Sequence, residues 1–253
     1  MTDLHHSEQG TGDPPALLIH GTGPAIWGDL PGLLAQHRRT IVYDRRGFGD
    51  SPGPTKANAF AHADDAAALL QDLGAVPAIL VGWSWGGIVA LATAQRHPEV
   101  VAGLVLLEPP LHLKSRPNLP QLRAIGGALL LDMRGREDEA VKRFVGWAIK
   151  GTADDWDSLP AEMREASLRN ARGMLDELKV GTGEELKAKQ LGAINARGLW
   201  LLGDRSQPDF AKAAKRRAGR LPRVEVRTVT GAGHGMHLDR PDAVAEAVEE
   251  VAA

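Results

Sequence analysis

Residues Gly82-Trp83-Ser84-Trp85-Gly86-Gly87 follow the apolar run Ala78–Ile79–Leu80–Val81. Either Ser84 is a nucleophile on a sharp turn, or it is a small residue in a glycine-rich bend. The serine comes directly after a strand-like segment and directly before a helix-like one, Ile88–His97, which stops ahead of Pro98. A nucleophile in that place sits on a strained turn that throws its Oγ away from the sheet. Glycines on either side let the following helix pack close to the strand. Glycine and serine are common in turns, so the hexapeptide alone also fits a structural bend. Its place between strand and helix favours the nucleophile.

The same alternation runs outward from this turn. Ala16–Ile19 ends at His20-Gly21, Thr40–Tyr43 at Asp44, and Val101–Leu107 at Glu108-Pro109-Pro110. Leu199–Leu202 ends at Gly203-Asp204, and Val224–Val229 at Thr230-Gly231. Continuous apolar runs predict strands covered on both faces, as in a parallel sheet. Helical patterns lie between them: Asp64–Asp72, Ile88–His97, and a last segment opened by Pro241, with Val244, Ala247, Val248 and Val251 on one stripe. Such repetition predicts an α/β fold, a doubly wound and mostly parallel sheet. Residues 111–193 break the rhythm. They contain no convincing strand, and Val141, Phe144, Val145, Ala148 and Ile149 make one apolar stripe over Glu137–Lys150. The expected division is a core domain over 1–110 and 194–253, with a helical cap over 111–193.

Composition narrows the function classes. The chain has 253 residues, of which 43% are hydrophobic, so one domain of this size has a sizeable core. Net charge is −2, which gives no electrostatic reason to expect nucleic acid or an anionic membrane as partner. The basic residues of Lys212–Arg220 alternate with alanines, as on the solvated face of a helix. There is no cysteine, which excludes disulfides, thiolate catalysis and cysteine-type zinc sites. The opening MTDLHHSEQGTGDPP lacks a basic segment followed by an apolar one, so it does not read as a signal peptide. No apolar stretch is long enough to span a bilayer. The expectation is a cytoplasmic protein without metal or organic cofactor. Its oligomeric state is not legible.

Four motifs in order resemble the α/β-hydrolase family over nearly the whole chain. His20-Gly21-Thr22-Gly23 is similar to the family's HG-x-G loop, and Asp44-Arg45-Arg46-Gly47-Phe48-Gly49-Asp50-Ser51 to its D-x-R-G-x-G-x-S stretch. GWSWGG resembles the nucleophile elbow, and Gly233-His234 the position of the family's histidine. The resemblance implies an α/β-hydrolase fold with the cap inserted after the sixth family strand. Few residues precede the HG loop, so the first edge strands are expected to be reduced. A serine at the elbow implies acyl transfer on esters, lactones or similar substrates. An aspartate there would imply dehalogenase or epoxide hydrolase chemistry.

A serine hydroxyl needs a base within hydrogen-bond reach, and histidine has the suitable pKa. Nine histidines are present. His5 and His6 fall in a terminus expected to be loose. His37, His62 and His97 fall on or beside predicted helices, where exposure is the default. His20 belongs to the HG loop, and His112 opens the cap. His234 and His237 follow the last strand at its carboxyl end, where such sheets bind ligands. His234 is the favoured base and His237 the reserve.

The acid behind the histidine is open between two carboxylates. Most family members carry it in a G-x-x-D stretch, but here Gly203-Asp204-Arg205-Ser206 puts Ser206 at the aspartate position. Asp204 lies two residues early. Glu108 follows Leu107 directly and leaves the sheet at the same edge as Ser84. Leu107-Glu108-Pro109-Pro110 resembles the Glu-x-Pro stretch of zearalenone-type lactonases, which take their acid from this earlier strand. That resemblance favours Glu108, with Asp204 in reserve.

The resemblance also implies an oxyanion hole built of backbone amides, from Trp85 and from Thr22, with Gly21 as the alternative to the latter. Six tryptophans stand in a chain with 4% aromatic residues. Trp27, Trp147, Trp156 and Met236 are the expected pocket residues, for a small apolar or aromatic ester or lactone. Ordinary packing fits these side chains equally well. A haloperoxidase-like perhydrolase or a carbon–carbon bond hydrolase would reuse the same triad. A ligand receptor on this fold is the alternative without catalysis.

Overall fold

The computed structural model of the chain describes residues 3–111, 118–151 and 153–253. Seven strands form one sheet in the order β1-β3-β2-β4-β5-β6-β7. They are β1 (His6–Gln9), β2 (Ala16–Ile19), β3 (Thr40–Tyr43), β4 (Ala78–Trp83), β5 (Val101–Leu107), β6 (Gly198–Gly203) and β7 (Val224–Val229). All neighbours run parallel except β1, which pairs antiparallel with β3. This is the α/β-hydrolase fold expected from the sequence.

The helices are α1 (Leu30–Leu34), α2 (Ala59–Asp72), α3 (Trp85–Arg96), α4 (Leu119–Gln121), α5 (Gly127–Met133) and α6 (Glu137–Lys150). They continue as α7 (Ala161–Arg169), α8 (Ala171–Val180), α9 (Ala188–Gly192), α10 (Pro208–Arg217), α11 (Met236–Asp239) and α12 (Pro241–Ala252). Side chains on a strand alternate between its faces, and both faces of the central strands are covered. Leu17, Ile19, Leu80, Leu104, Leu106 and Trp200 pack on the layer that holds α2, α3 and α10. Leu18, Ile79, Val81, Val105, Leu107 and Leu201 pack on the layer that holds α1 and α12. Between β5 and β6 the described residues form helices and no strand. α5, α6, α7 and α8 enclose a third apolar cluster there.

Two sequence expectations fail at the sheet edges. β7 was expected to be covered on both faces. It is instead the outer edge strand, and four of its six residues are exposed. Its Glu225 and Arg227 put charge on that open edge, which discourages pairing with another chain. At the other edge the terminus is not loose. His6 opens β1, and the His5 amide donates to Ser51 Oγ at 2.9 Å. No helix among the described residues is long and apolar enough to cross a membrane.

Candidate active site

Ser84 and Glu108 are the two non-glycine residues at positive φ among the described residues. They stand at the carboxyl ends of neighbouring strands, Ser84 after β4 with φ 53° and Glu108 after β5 with φ 48°. Backbone strain of this kind persists only where the surroundings over-determine it, and it clusters at functional sites. Three bonds hold the two turns. Ser84 N–H donates to the Leu107 carbonyl at 2.8 Å, and Gly87 N–H to the Ser84 carbonyl at 2.9 Å. Glu108 N–H donates to the Leu201 carbonyl at 3.2 Å. Close approach decides the glycine at 86, where a side-chain Cβ would lie 2.0 Å from the Ile19 carbonyl oxygen.

His234 joins the two strained residues. Its Nδ1 lies 2.8 Å from Glu108 Oε2, and its Nε2 lies 3.0 Å from Ser84 Oγ. A buried carboxylate only accepts, so the neutral imidazole donates Nδ1–H to Glu108 and turns its Nε2 lone pair to the serine hydroxyl. The other Glu108 oxygen accepts from the Gly203 amide at 2.7 Å. Glu108 is fully buried and His234 nearly so. A carboxylate out of water requires such partners for both oxygens. Trp83 Nε1–H donates to the His234 carbonyl at 2.8 Å and fixes the histidine loop.

The reserve residues are placed elsewhere. Asp204 is exposed and accepts from the Gly231 amide at 2.9 Å, so it closes a loop beside the site. His237 Nε2–H donates to the Ile26 carbonyl at 3.1 Å. Burial, with nearby His234 adding to it, pushes the His237 pKa down to about 3. His20 is buried in the HG loop, its Nδ1–H donating to the Gly21 carbonyl and its Nε2 accepting from Arg45 N–H. Burial and the Arg45 cation hold it well below its ordinary value. His62 corrects the expectation of exposure. It is buried on the inner stripe of α2 with Ala59, Ala63 and Ala66, edge-on to the Trp85 ring. His112 lies outside the described residues.

Two cavities open on Ser84 and His234. One is lined by Ile26, Trp83, Val145, Ile149, Met163 and Met174 among others. The second is lined by Trp85, Gln121, Trp147, Glu177, Thr182 and Phe210 among others. Thr22, Phe144 and Ala148 border both. Trp147 therefore faces the site from α6, off that helix's buried stripe. The other expected pocket residues do not line either cavity. Trp27 and Met236 pack in the layer below the sheet, and Trp156 packs in the apolar cluster that α5, α6, α7 and α8 enclose. Aromatic and thioether side chains fill cores as readily as pockets, and these three are anchored by apolar neighbours.

Sequence reasoning missed Phe210, whose ring stacks on His234 with centroids 4.1 Å apart and planes 13° apart. The available signal was position: Phe210 lies in the first turn of α10, just beyond the carboxyl end of β6. Arg45 and Glu177 were also missed as a pair. Arg45 lies in a quoted motif, but nothing local marks its partner 132 residues away.

Residues 16–247 match the sequence profile of the Alpha/beta hydrolase family. The chain belongs to that family. A pimeloyl-[acyl-carrier protein] methyl ester esterase from Xanthomonas campestris is 30% identical over 251 residues, covering 95% of each chain. A 2-hydroxymuconate semialdehyde hydrolase from Pseudomonas is 42% identical over 113 residues. That match spans 42% of this chain and 39% of the relative. Among solved structures of the family, a thermophilic esterase from Thermogutta terrifontis superimposes with a TM-score of 0.79 at 25% identity. It covers 99% of this chain and 94% of the esterase.

Proposed function

We propose that the protein is a serine hydrolase that cleaves carboxylic esters or lactones through an acyl-enzyme on Ser84. The observation that carries this reading is the unbroken chain Glu108–His234–Ser84, whose serine end opens into two cavities. The full-length likeness to a methyl ester esterase supports the ester class.

His234 Nε2 takes the Ser84 proton as Oγ attacks the carbonyl carbon. Glu108 stabilises the imidazolium and keeps Nδ1–H pointed away from the serine. The carbonyl oxygen becomes an oxyanion, held by backbone N–H groups of Trp85 and Thr22. Trp85 is the first residue of α3, so its amide is among those a helix leaves unpaired at its start. Imidazolium then gives its proton to the departing alkoxide, and the alcohol leaves. Water attacks the acyl-enzyme with the same histidine as base, and the carboxylic acid is released. A lactone follows the same course, but its alcohol stays attached to the acyl group. In this reading the acyl and alcohol halves of the substrate take one cavity each, and Phe144 and Ala148 border both. All these groups belong to the chain itself.

The short, stronger likeness to a 2-hydroxymuconate semialdehyde hydrolase favours carbon–carbon bond hydrolysis as a second reading. The test is a panel of short- and medium-chain p-nitrophenyl esters, simple lactones and 2-hydroxymuconate semialdehyde, with wild type and Ser84→Ala. Ester or lactone turnover that Ser84→Ala loses supports the first reading. Turnover of the semialdehyde alone favours the second. Ester turnover that Ser84→Ala retains rules out the acyl-enzyme on Ser84.

A further inference from the structure

Both backbone donors assigned to the oxyanion hole are tied to one cap helix. Trp85 Nε1–H donates to the carbonyl of Gly181, the C-cap of α8, at 3.0 Å. The Thr22 amide is tied to α8 less directly. Arg45 Nη2 donates to the Gly21 carbonyl at 2.7 Å, and Arg45 Nε to the His20 carbonyl at 3.1 Å. His20 Nδ1–H adds a second bond to the Gly21 carbonyl at 2.9 Å. In a trans peptide the C=O and the next N–H point in opposite directions. Fixing the Gly21 carbonyl therefore fixes the direction of Thr22 N–H. Gly21 is pressed against the nucleophile, since a Cβ on it would come within 2.9 Å of Ser84 Cβ.

The guanidinium that holds this peptide is held by the cap. Glu177 of α8 grips Arg45 with both oxygens, at 2.6 Å and 3.1 Å, and neither side chain is more than 1% exposed. The same guanidinium lies 4.9 Å from the Trp85 ring and 4.7 Å from the Phe48 ring. A buried ion pair is a poor stabiliser, and apolar residues of similar volume often replace one with no loss of stability. What the pair supplies that an apolar pair cannot is a rigid fork of donors aimed at two carbonyls.

We propose that Glu177, acting through Arg45, is a positioning residue for the oxyanion hole, so that the cap sets the direction of the Thr22 amide and does more than enclose substrate. This rests on the ester-hydrolase reading above. Neither residue touches the reacting atoms in this account.

The test compares wild type, Glu177→Gln and the double variant Arg45→Met/Glu177→Leu. Active sites are titrated by the ester burst, so that misfolded protein is not counted. The readouts are Tm, kcat and KM per titrated site, and the 19F spectrum of an aryl trifluoromethyl ketone adduct. In that adduct Ser84 Oγ bonds to the ketone carbon, its proton passes to His234, and the ketone oxygen becomes the oxyanion. The double variant removes the Arg45 donor from the buried His20 carbonyl, so its Tm is expected to fall by a few degrees and activity is read per titrated site. Its kcat is expected to fall about 10- to 100-fold with KM within about threefold, less than the loss of a whole donor. The pH at which the adduct oxygen ionises should rise. Glu177→Gln should move the same way even if its Tm falls. Wild-type kcat and wild-type adduct ionisation in the double variant overturn the proposal. A wild-type protein that forms no adduct and turns over no ester overturns the hydrolase reading beneath it instead.

Discussion

Glu108 and His234 lie 126 residues apart in sequence, yet Oε2 of one meets Nδ1 of the other at 2.8 Å in a buried site. The second Glu108 oxygen is occupied by the Gly203 amide, the first residue of the stretch where most of the family carries its acid. In the proposed reading the acid comes from β5, so position 206 is free to carry a serine. Glu108→Gln is expected to lower kcat by about 10⁴-fold, because the amide cannot stabilise the imidazolium and can present the wrong group to Nδ1. Asp204→Asn should stay within about threefold of wild type, since that side chain caps a loop. Steady-state kinetics on a p-nitrophenyl ester check both. A crippled Asp204→Asn beside a nearly normal Glu108→Gln would reverse the assignment of the acid.

Phe210 shields one face of the His234 ring. A stacked aromatic pair is worth about 0.5–1.5 kcal/mol beyond its buried area. Phe210→Ala should therefore reduce kcat about 2- to 10-fold by loosening the base, while Phe210→Tyr should stay near wild type. Loss of activity in both variants alike would point to disturbance of α10 rather than loss of the stack.

Ala148 borders both cavities, and its methyl group is the smallest side chain among the residues that line both. Ala148→Trp should leave acetyl ester turnover within about threefold and cut kcat/KM for longer acyl chains about 10- to 200-fold. A chain-length series on the two proteins measures this. Unchanged selectivity would place substrate somewhere other than these cavities.

Three buried histidines contribute to the loss of stability in acid. Burial lowers the pKa of His20, His62 and His237 in the folded chain, the last to about 3. The unfolded chain takes up those protons near the ordinary value of about 6.5, and the folded chain does not. Stability from this source is complete above about 6.5. It declines as pH falls below about 6.5, by up to about 1.4 kcal/mol per pH unit for each histidine. Neither ring nitrogen of His62 has a hydrogen-bond partner, so His62→Leu removes an unmet polar cost. Its Tm at neutral pH is expected to equal or exceed that of wild type, with a shallower fall below pH 6.5. A steeper fall in the variant would contradict this.

The sequence exposes what depends on neighbours along the chain and hides what depends on partners across it. The runs at 16–19, 40–43, 101–107 and 224–229 coincide with strands, because short runs rich in apolar and β-branched side chains leave a local pattern. Helix α6 coincides with its apolar stripe for the same reason. Helix α2 starts five residues before the expected Asp64, at Ala59, where the Asn58 side chain accepts from Ala61 N–H as an N-cap. Ser84, His234 and Glu108 were nameable because each follows a strand and lies in a segment that resembles a family motif. The pocket was much less legible. Trp27, Trp156 and Met236 are as apolar as Trp147, and only tertiary packing separates core from cavity wall. His62 looked exposed because one helical turn cannot say which layer will cover it. The grip of Glu177 on Arg45 left no local trace at all.

The most direct test of the central claim traps the acyl group. Wild type is mixed with excess p-nitrophenyl butyrate, quenched with acid within the burst, digested and examined by peptide mass spectrometry. The expected result is a butyryl increment on Ser84 in wild type, much less of it within the burst in His234→Gln because acylation needs the same base, and none in Ser84→Ala. An increment on another residue, or burst and turnover persisting in Ser84→Ala, would contradict it.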